Sequence, residues 1–343
     1  MSSRAPLRTV VVGLGFGVNV HVPAFRLAGG YDVVGLVGRD AERARQAAAA
    51  VGVRGGYGTL SEAFRECRPD VVSIAVSPAV QPEIASEAIK AGAHLFCEKP
   101  LAATLGEARL LEQAAREAGR RAAIDFLFPE IPAWRRLMYL VEGGSLGAPK
   151  KAAVSWKVET RAARDGTVSW KTTLESGGGV LFNFVSHSVH YLRWLFGEIA
   201  TVRTFPKENL SLRFLGALSF HSGMEALLHV DCDAFPGFGH RLEVFFEKGT
   251  AVLESPGPDY ASGFILRVAR RAEPTWEILN EEAMETSGDG RIFAVASILR
   301  RLREGIISGT PIHPDLSDGV EVQRVIHALL ESAKSASSDV PLL

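Results

Sequence analysis

Short runs of β-branched residues alternate with longer amphipathic stretches over the first third of the chain, and this alternation constrains the fold most strongly. The runs are TVVVG, YDVVGLV, DVVSIAV, AHLFCE and AAIDFLF, between residues 9 and 128. Such alternation is typical of βαβ units, whose strands form a parallel sheet covered by helices. It predicts a doubly wound Rossmann dinucleotide-binding domain over residues 1–127, with its ligand at the carboxyl ends of the strands.

Helices between these runs are predicted from apolar spacing and from their N-terminal residues. Asp40, and either Thr59 or Ser61, are suitable N-cap residues, and Thr104 with Glu107 resembles a capping box. The predicted helices cover residues 18–27, 41–50, 60–66, 81–91 and 105–118.

The pattern changes after an amphipathic stretch at residues 133–142. Six segments then have the pattern of strands, with few helices among them: KKAAVSWKVET, TVRTF, SLRFLGALSF, GMEALLHVDCD, HRLEVFFEKGTAVLE and FILRVARRA. They predict a large, mostly antiparallel open sheet with a helix at residues 178–196 packed on it. Residues 315–335 are a last amphipathic helix. The fold class is therefore an α/β domain followed by an α+β domain over residues 128–343.

The composition favours globular domains and an uncharged partner. The chain has 343 residues, 47% of them hydrophobic, which is enough for substantial cores. Its 38 basic and 39 acidic residues nearly cancel, so no overall field attracts nucleic acid or anionic lipid. No apolar run reaches the roughly 20 residues that cross a bilayer. The cysteines, Cys67, Cys97 and Cys232, match no disulfide or zinc spacing, which favours reduced thiols in the cytoplasm and no metal site.

The sequence GLGFGV follows the first predicted strand and precedes a helix, which is the context of a dinucleotide-binding turn. Gly13 allows the tight turn, and Gly15 lets the backbone approach a pyrophosphate at the positive end of the helix. Val18 holds the third glycine position of the G-x-G-x-x-G fingerprint, and Gly17 lies one place early. With Phe16, these residues form the predicted pyrophosphate loop.

The end of the second predicted strand bears on the choice of cofactor. An acidic residue there would bind the ribose of NAD, but the chain has Gly38, Arg39 and Asp40. Arg39 suits a 2′-phosphate, because guanidinium pairs with phosphate through two hydrogen bonds, and Arg43 lies one helical turn further on. The alternative is that Arg39 is solvated and Asp40 only caps the next helix. We favour NADP(H) over NAD(H).

Two further segments contain candidate catalytic residues. AHLFCEKPLA places Lys99, between Glu98 and Pro100, at the carboxyl end of a strand, where a doubly wound sheet binds its ligand. A loop lysine is more commonly only solvated, but a following proline restricts the backbone of Lys99.

In GGGVLFNFVSHSVHYLRWLFG, four polar or aromatic residues share a helical stripe about 60° wide opposite an apolar face: Asn183, His187, His190 and Trp194. These side chains either face a ligand or form their hydrogen bonds with neighbouring protein groups.

These segments occur in the same order in the Gfo/Idh/MocA oxidoreductases, which the chain resembles over nearly its whole length. The resemblance lies in GLGFGVNVHVPAF, HLFCEKPLA, the SGGG helix ending in RWLFG, HRLEVFFEKGTAVLE and DGVEVQRVIHALLESA. The family is similar to glucose-fructose oxidoreductase and inositol dehydrogenase. The resemblance implies that Lys99 contacts the nicotinamide ribose and substrate hydroxyls, and that the helix supplies D-x-x-x-H, whose histidine is the acid/base group. It also implies a homodimer or homotetramer formed through the open sheet.

The chain departs from the family pattern at several positions. Aligning the glycines and RWLFG puts Asn183 at the aspartate, His187 at the histidine and His190 at a further acid. Asparagine orients an imidazole but does not stabilise an imidazolium as carboxylate does, so we expect a lower pKa for His187 than in members with aspartate. Gln81 stands where the family often has a histidine near the cofactor, and FPEIPAW lacks the arginine usual in that segment.

The resulting prediction is an NAD(P)-dependent oxidoreductase that interconverts a secondary alcohol and a ketone on a sugar, cyclitol or related polyol. Lys99 polarises the oxygen, His187 transfers the hydroxyl proton and Asn183 positions His187. Lys99, Asn183 and His187 also contact the substrate, together with Trp170, Lys171 and His190. The cofactor residues are Gly13, Gly15, Phe16, Gly17, Val18, Gly38, Arg39, Arg43, Ser77, Gln81, Glu98, Lys99 and Pro100.

Some roles stay open. Trp156 either offers an aromatic face to the sugar, as Trp170 does, or fills the interface between sheet and helix. His21 and the remaining histidines are assigned ordinary structural roles. One alternative function is redox-assisted glycosidase chemistry, in which transient oxidation assists bond cleavage. Another is a dinucleotide-binding regulator without activity, which Asn183 favours and the retention of Lys99 and His187 opposes.

Overall fold

The structure is a computed structural model that describes residues 5–205, 209–257, 259, 261–279, 288–335 and 338–342. The chain divides into two units, one of Met1–Leu127 with Arg291–Val320 and the other of Phe128–Gly290 with Glu321–Leu343. The predicted second domain, residues 128–343, thus contains a segment that the structure places in the first unit.

A six-stranded parallel sheet forms the centre of the first unit. Its strands are β1 (Leu7–Val12), β2 (Tyr31–Val37), β3 (Gly55–Tyr57), β4 (Val71–Ile74), β5 (His94–Cys97) and β6 (Ala122–Ile124). They lie in the order β3-β2-β1-β4-β5-β6, and each neighbouring pair is parallel. The predicted doubly wound sheet is confirmed. The order reverses beside β1, and such sheets bind ligands at the carboxyl ends of the strands around this point.

The predicted helices of this unit are present, and their caps explain where three of them begin. The helices are α1 (Val22–Ala28), α2 (Ala41–Ala50), α3 (Leu60–Cys67), α4 (Gln81–Lys90) and α5 (Leu105–Glu117). Asp40 caps α2, and Thr59 and Thr104 form capping boxes on α3 and α5. Thr59, rather than Ser61, is therefore the cap of α3.

A nine-stranded sheet forms the second unit. Its strands are β7 (Pro149–Lys157), β8 (Ile199–Thr204), β9 (Arg213–Phe220), β10 (Glu225–Asp231), β11 (His240–Phe246), β12 (Gly249–Ser255), β13 (Ile265–Arg270), β14 (Glu273–Ile278) and β15 (Val340–Pro341). The order is β14-β13-β12-β11-β7-β10-β9-β8-β15. Among the described strands of this sheet, only the β7–β10 pair is parallel, so the predicted, mostly antiparallel sheet is confirmed.

Three α-helices of the described chain lie entirely within the second unit: α6 (Pro132–Gly143), α7 (Arg161–Asp165) and α8 (Ser186–Phe196). A π-helical turn, Leu181–Val185, precedes α8. The helix packs on one face of the nine-stranded sheet, where Phe196 contacts Phe220 with 5.9 Å between ring centroids. The packing predicted for this helix is confirmed.

The last two helices are α9 (Arg291–Ser308) and α10 (Leu316–Lys334). The sequence did not predict α9. Its buried side chains, among them Ile298, Leu299 and Leu302, join the core formed by Val20 and Phe25 of the first unit. This burial explains why residues 291–320 belong to that unit. Among the described residues, no helix combines the length and the apolar character that a membrane span needs.

Candidate active site

The chain turns sharply after β1 at a glycine that no other residue can replace without strain. Gly13 has a φ of +114°, and a Cβ at this position would overlap the carbonyl oxygen of Ala75. Gly15 is exposed, and no heavy atom lies within 4 Å of its Cβ position. The backbone at Gly15 is therefore open to a pyrophosphate, and this cradle fits a dinucleotide.

The missing third glycine of the fingerprint has a structural explanation. The helix after the turn begins with a π-helical turn, Gly17–His21. A Cβ on Gly17 would lie 2.8 Å from Cγ1 of Val11, so Gly17 provides the close packing of helix on strand that the third glycine normally provides. Phe16 and Val18 both pack against the hydrophobic core of this unit.

After β2, Asp40 caps the next helix, as the alternative interpretation of the sequence predicted, and the arginines Arg39 and Arg43 are exposed. One carboxylate oxygen of Asp40 accepts hydrogen bonds from the backbone nitrogens of Glu42 at 2.9 Å and Arg43 at 3.1 Å. Arg39 and Arg43 are exposed, and neither has an ion pair with another described residue. Gly38 donates its backbone N–H to the carbonyl of Tyr57 at 3.1 Å, which fixes the start of this segment.

The loop after β5 is held by a buried side chain from α4. The amide nitrogen of Gln81 donates to the carbonyl oxygens of Glu98 at 2.7 Å, Leu101 at 3.0 Å and Pro100 at 3.2 Å. Gln81 is fully buried, so it shapes the loop around Lys99, and its contact with the cofactor stays a prediction. The carbonyl of Ser77 accepts from the backbone nitrogens at the start of α4. The Lys99–Pro100 peptide bond is cis.

A buried polar cluster, which the sequence pattern did not predict, lies behind this loop. Nδ1 of His21 lies 2.8 Å from Oγ of Ser73, and Nε2 lies 2.9 Å from Oε1 of Glu98. Asp125, which follows β6, is hydrogen-bonded to Glu98. Burial lowers the pKa of His21 to about 4, although the nearby Asp125 opposes this shift. Burial raises the pKa of Glu98, and it raises the pKa of Asp125 far above its usual range.

In the second unit, a glycine brings two predicted substrate residues close to the start of the α8 segment. A Cβ on Gly178 would overlap the carbonyl oxygen of Trp170, so the turn Trp170–Thr172 packs directly on the glycine run. The side-chain amide of Asn183 donates to the carbonyl oxygen of Lys171 at 2.7 Å. Nζ of Lys171 lies 5.6 Å from the ring centroid of Trp170. The structure thus brings Trp170, Lys171 and Asn183 together.

The two predicted histidines of α8 are both buried, and His187 contacts aromatic rings. His187 is 3% exposed, and its ring makes an edge contact with Phe128 at 5.2 Å between centroids. His190 is 7% exposed. The positioning of His187 by Asn183 stays a prediction.

Trp156 belongs to the core of the second unit and does not offer a face to a sugar. It is 1% exposed, and its ring stacks on His240 at 4.1 Å with an interplanar angle of 2°. The sequence allowed either role because an alternating strand pattern does not show which face is covered. Burial lowers the pKa of His240 to about 3, and Nε2 of this residue lies 3.1 Å from the hydroxyl of Tyr191.

The predicted residues are therefore distributed over the two units. The first unit contains all the predicted cofactor residues, including Lys99. The second contains the remaining catalytic and substrate candidates: Trp170, Lys171, Asn183, His187 and His190.

Comparison with known proteins gives a separate family match for each of two stretches of the chain. The NAD-binding Rossmann-fold model of the Gfo/Idh/MocA oxidoreductase family matches residues 7–126, and the model of its C-terminal alpha/beta domain matches residues 139–342. An uncharacterized oxidoreductase of Synechocystis sp. is 29% identical over 94% of this chain and 93% of its own length. The 1,5-anhydro-D-fructose reductase of Ensifer adhaerens is 30% identical over 62% of this chain and 65% of its own length.

A solved structure has the same fold. Levoglucosan dehydrogenase in complex with NADH and levoglucosan superposes with a TM-score of 0.88 and 19% identity, covering 98% of this chain and 99% of that one. The two family models together cover both units of the chain. The protein is therefore a member of the Gfo/Idh/MocA family of NAD-binding oxidoreductases.

Proposed function

We propose that this protein interconverts a secondary alcohol and a ketone on a sugar, cyclitol or related polyol, with NADP(H) favoured over NAD(H). The observation that supports this most is the presence of the glycine cradle and the Glu98-Lys99-Pro100 loop at the carboxyl ends of one parallel sheet. Relatives named for 1,5-anhydro-D-fructose and levoglucosan support a sugar-like substrate.

The chemistry divides between the cofactor and the side chains. When bound, the nicotinamide dinucleotide supplies or accepts the hydride. The ammonium of Lys99 donates a hydrogen bond to the reacting oxygen and stabilises its negative charge. His187 takes the hydroxyl proton during oxidation and returns it during reduction. Its Nδ1 is buried, so we assign this proton to Nε2.

The remaining candidates would bind and orient the substrate. Trp170 is partly exposed, and an aromatic face suits the C–H groups of a sugar ring. Lys171 and His190 are side chains that hydrogen-bond hydroxyl groups. Asn183 fixes the Trp170–Thr172 turn through the carbonyl of Lys171.

A ligand screen tests the proposal. Thermal shifts are measured with NAD(H) and NADP(H), then with sugars, nucleotide sugars and cyclitols in the presence of the preferred cofactor, while nicotinamide absorbance reports turnover. A ligand at 100 times its Kd stabilises by about 2.7 kcal/mol. We expect an absorbance change with at least one polyol. Bond cleavage without such a change would support the glycosidase alternative, and cofactor binding without any turnover would support a regulator.

The cofactor preference has a separate test at Arg39 and Arg43. Both arginines are exposed without an ion pair among the described residues, and Asp40 is engaged as a cap. A hydrogen bond to a charged group contributes about 1.5–3 kcal/mol, so replacing Arg39 with alanine should weaken NADP(H) binding about 10–100-fold and leave NAD(H) binding nearly unchanged. The double variant Arg39→Ala/Arg43→Ala should lose more NADP(H) affinity. Arg45→Ala is the matched control, because Arg45 lies on the same helix as Arg43 and is paired with Glu42. Equal losses for both cofactors would contradict the preference.

We also propose a homodimer or homotetramer in the cytoplasm. The face of the nine-stranded sheet opposite α8 exposes Leu227 and Phe245, beside Ala153 and Ala217, in one shallow depression. An apolar sheet face of this kind is typical of a covered interface. Sedimentation equilibrium tests this, and a clean monomer would contradict it. Cys67, Cys97 and Cys232 form no disulfide with one another in the described part of the chain, which favours a reducing compartment.

A further inference from the structure

A cluster of buried titratable side chains next to Lys99 has no role in the chemistry described so far. His21 is fully buried, Asp125 is 2% exposed and the side chain of Glu98 is 15% exposed. A ring nitrogen of His21 and one carboxyl oxygen each from Glu98 and Asp125 all lie within 4.8 Å of one another. Burying such groups is costly unless their charges and hydrogen bonds are paired.

A carboxyl oxygen of Glu98 lies within 4.8 Å of one of Asp125, and the two groups are placed to share a hydrogen bond. A carboxylate only accepts hydrogen bonds, so a bond between two carboxyl groups requires one proton between them. Two carboxylates in direct contact do not both ionise near neutral pH. The pair therefore holds one proton and one negative charge.

The surroundings place the negative charge on Glu98. Its carboxylate accepts the backbone N–H of Lys99 at 3.2 Å and lies in the field of the Lys99 and Arg291 cations. Asp125 is the more deeply buried of the two, and burial raises its pKa well above the usual range. Oδ1 of Asp125 has no hydrogen-bond partner among the described residues, which costs less on a neutral acid than on a carboxylate.

His21 completes the set of donors around Glu98. Burial keeps this imidazole neutral at physiological pH, with a pKa of about 4. Nε2–H then donates to Glu98 at 2.9 Å, and Nδ1 accepts the hydroxyl of Ser73 at 2.8 Å. The neighbouring thiol of Cys97 also stays protonated, because burial raises its pKa to about 12. Glu98 is thus the single negative group that faces Lys99 and Arg291 in this cluster.

We propose that Asp125 is a protonated, neutral acid that donates to Glu98, and that it acts as a positioning residue by holding the charge of Glu98 beside Lys99. Its effect on catalysis rests on the role proposed for Lys99, but its protonation does not. As the pH rises until Asp125 loses its proton, a second negative charge appears in the cluster. The hydrogen bond to Glu98 is then lost, and Glu98 is no longer held in place beside Lys99.

Infrared spectroscopy tests the protonation directly and needs no substrate. The difference spectrum between wild type and Asp125→Asn at neutral pH should contain the C=O stretching band of a protonated carboxylic acid, shifted in D2O. Absence of the band would overturn the proposal. Detection of a stoichiometric divalent metal in the purified protein, lost in Asp125→Asn, would also overturn it, because the metal would replace the shared proton.

Kinetics test the positioning role. Asparagine keeps a donor for Glu98, whereas leucine of similar size does not, so Asp125→Leu should lower kcat/KM about 10–100-fold and Asp125→Asn should recover most of that loss. In wild type, the loss of the Asp125 proton should lower the rate at high pH. The amide of asparagine has no such proton to lose, so this decrease at high pH should be absent from the pH–rate profile of Asp125→Asn. A loss in Asp125→Asn as large as that in Asp125→Leu would overturn the proposal. If no substrate is turned over at all, the infrared result still decides the state of Asp125.

Discussion

Asn183 serves a local turn at a position where the related oxidoreductases are expected to have an aspartate. Its amide donates to the carbonyl of Lys171 at 2.7 Å, and an ionised aspartate has no hydrogen to donate. The asparagine is therefore suited to holding the turn that presents Trp170 and Lys171. The sequence identified the position through the spacing of the helix, but it gave no indication of this bond.

Replacing Asn183 with aspartate tests both roles of the residue. Asn183→Asp places a carboxylate against the Lys171 carbonyl, which should loosen the turn and raise the substrate KM by about tenfold. If the carboxylate also contacts His187, it raises the pKa of His187 and shifts the pH–rate profile upward. Asn183→Ala should raise KM without that shift. An unchanged profile in Asn183→Asp would show that residue 183 does not contact the catalytic imidazole.

Residues whose roles depend on local chemistry were predicted, and those that depend on distant partners were not. The caps at Asp40, Thr59 and Thr104 follow from neighbouring residues and are confirmed. His21 meets Glu98, which is 77 residues away in sequence, and no periodic pattern shows such a pairing. The buried cluster therefore became visible only in the fold.

At the scale of secondary-structure elements, two helices with candidate residues begin in the same way. A π-helical turn opens each of them, at Gly17–His21 and at Leu181–Val185, and such turns are frequent at functional sites. The sequence predicted both helices as continuous, because a single wide turn hardly alters the apolar spacing. Strand β14 was missed since all six of its residues are exposed, which leaves no alternation to detect.

The glycine run at residues 177–179, before the turn Leu181–Val185, can be tested by substitution. Gly178→Ala would force the Trp170 carbonyl away from the run, and such overpacking typically costs about 1–3 kcal/mol. We expect a matching loss in denaturant stability and a higher substrate KM. Gly143→Ala is the control, because no heavy atom lies within 4 Å of its Cβ position. Equal behaviour of the two variants would contradict the close packing.

At the scale of the whole molecule, the two units were predicted from patterns, but the assignment of α9 was not. Its buried side chains complete a core whose other buried members are Ile312 and residues between Val11 and Ala123, and amphipathic spacing does not show which core a helix joins. Each unit also contains a buried neutral histidine, His21 in the first and His240 in the second.

These histidines make stability depend on pH. An unfolded histidine binds its proton near pH 6.5, but burial delays protonation of His240 to about pH 3. The unfolded state therefore binds more protons between these values, so the contribution of His240 to stability is complete above pH 6.5 and decreases as the pH falls, by up to about 1.4 kcal/mol per pH unit.

The test compares wild type with His240→Phe, which keeps a ring against Trp156 but does not titrate. Glu98 and Asp125 have raised pKa values, so their contribution to the free energy of unfolding decreases as the pH rises through those values, opposite to that of the histidines. Both proteins contain Glu98 and Asp125, so this contribution cancels when the free energy of unfolding of the variant is subtracted from that of wild type. Denaturant unfolding from pH 4 to 7 should show a weaker acid destabilisation in the variant, and parallel curves would contradict the account.

The central claim is that Lys99 and His187 perform the chemistry and that the glycine cradle binds the cofactor. The most direct measurement is steady-state turnover of the substrate found in the screen by Lys99→Ala and His187→Ala, with cofactor Kd determined separately by calorimetry. Lys90→Ala and His221→Ala, both at exposed positions, are the controls. We predict that kcat/KM falls about 10²–10⁴-fold in each active-site variant while cofactor still binds. Full turnover by either variant would contradict the account.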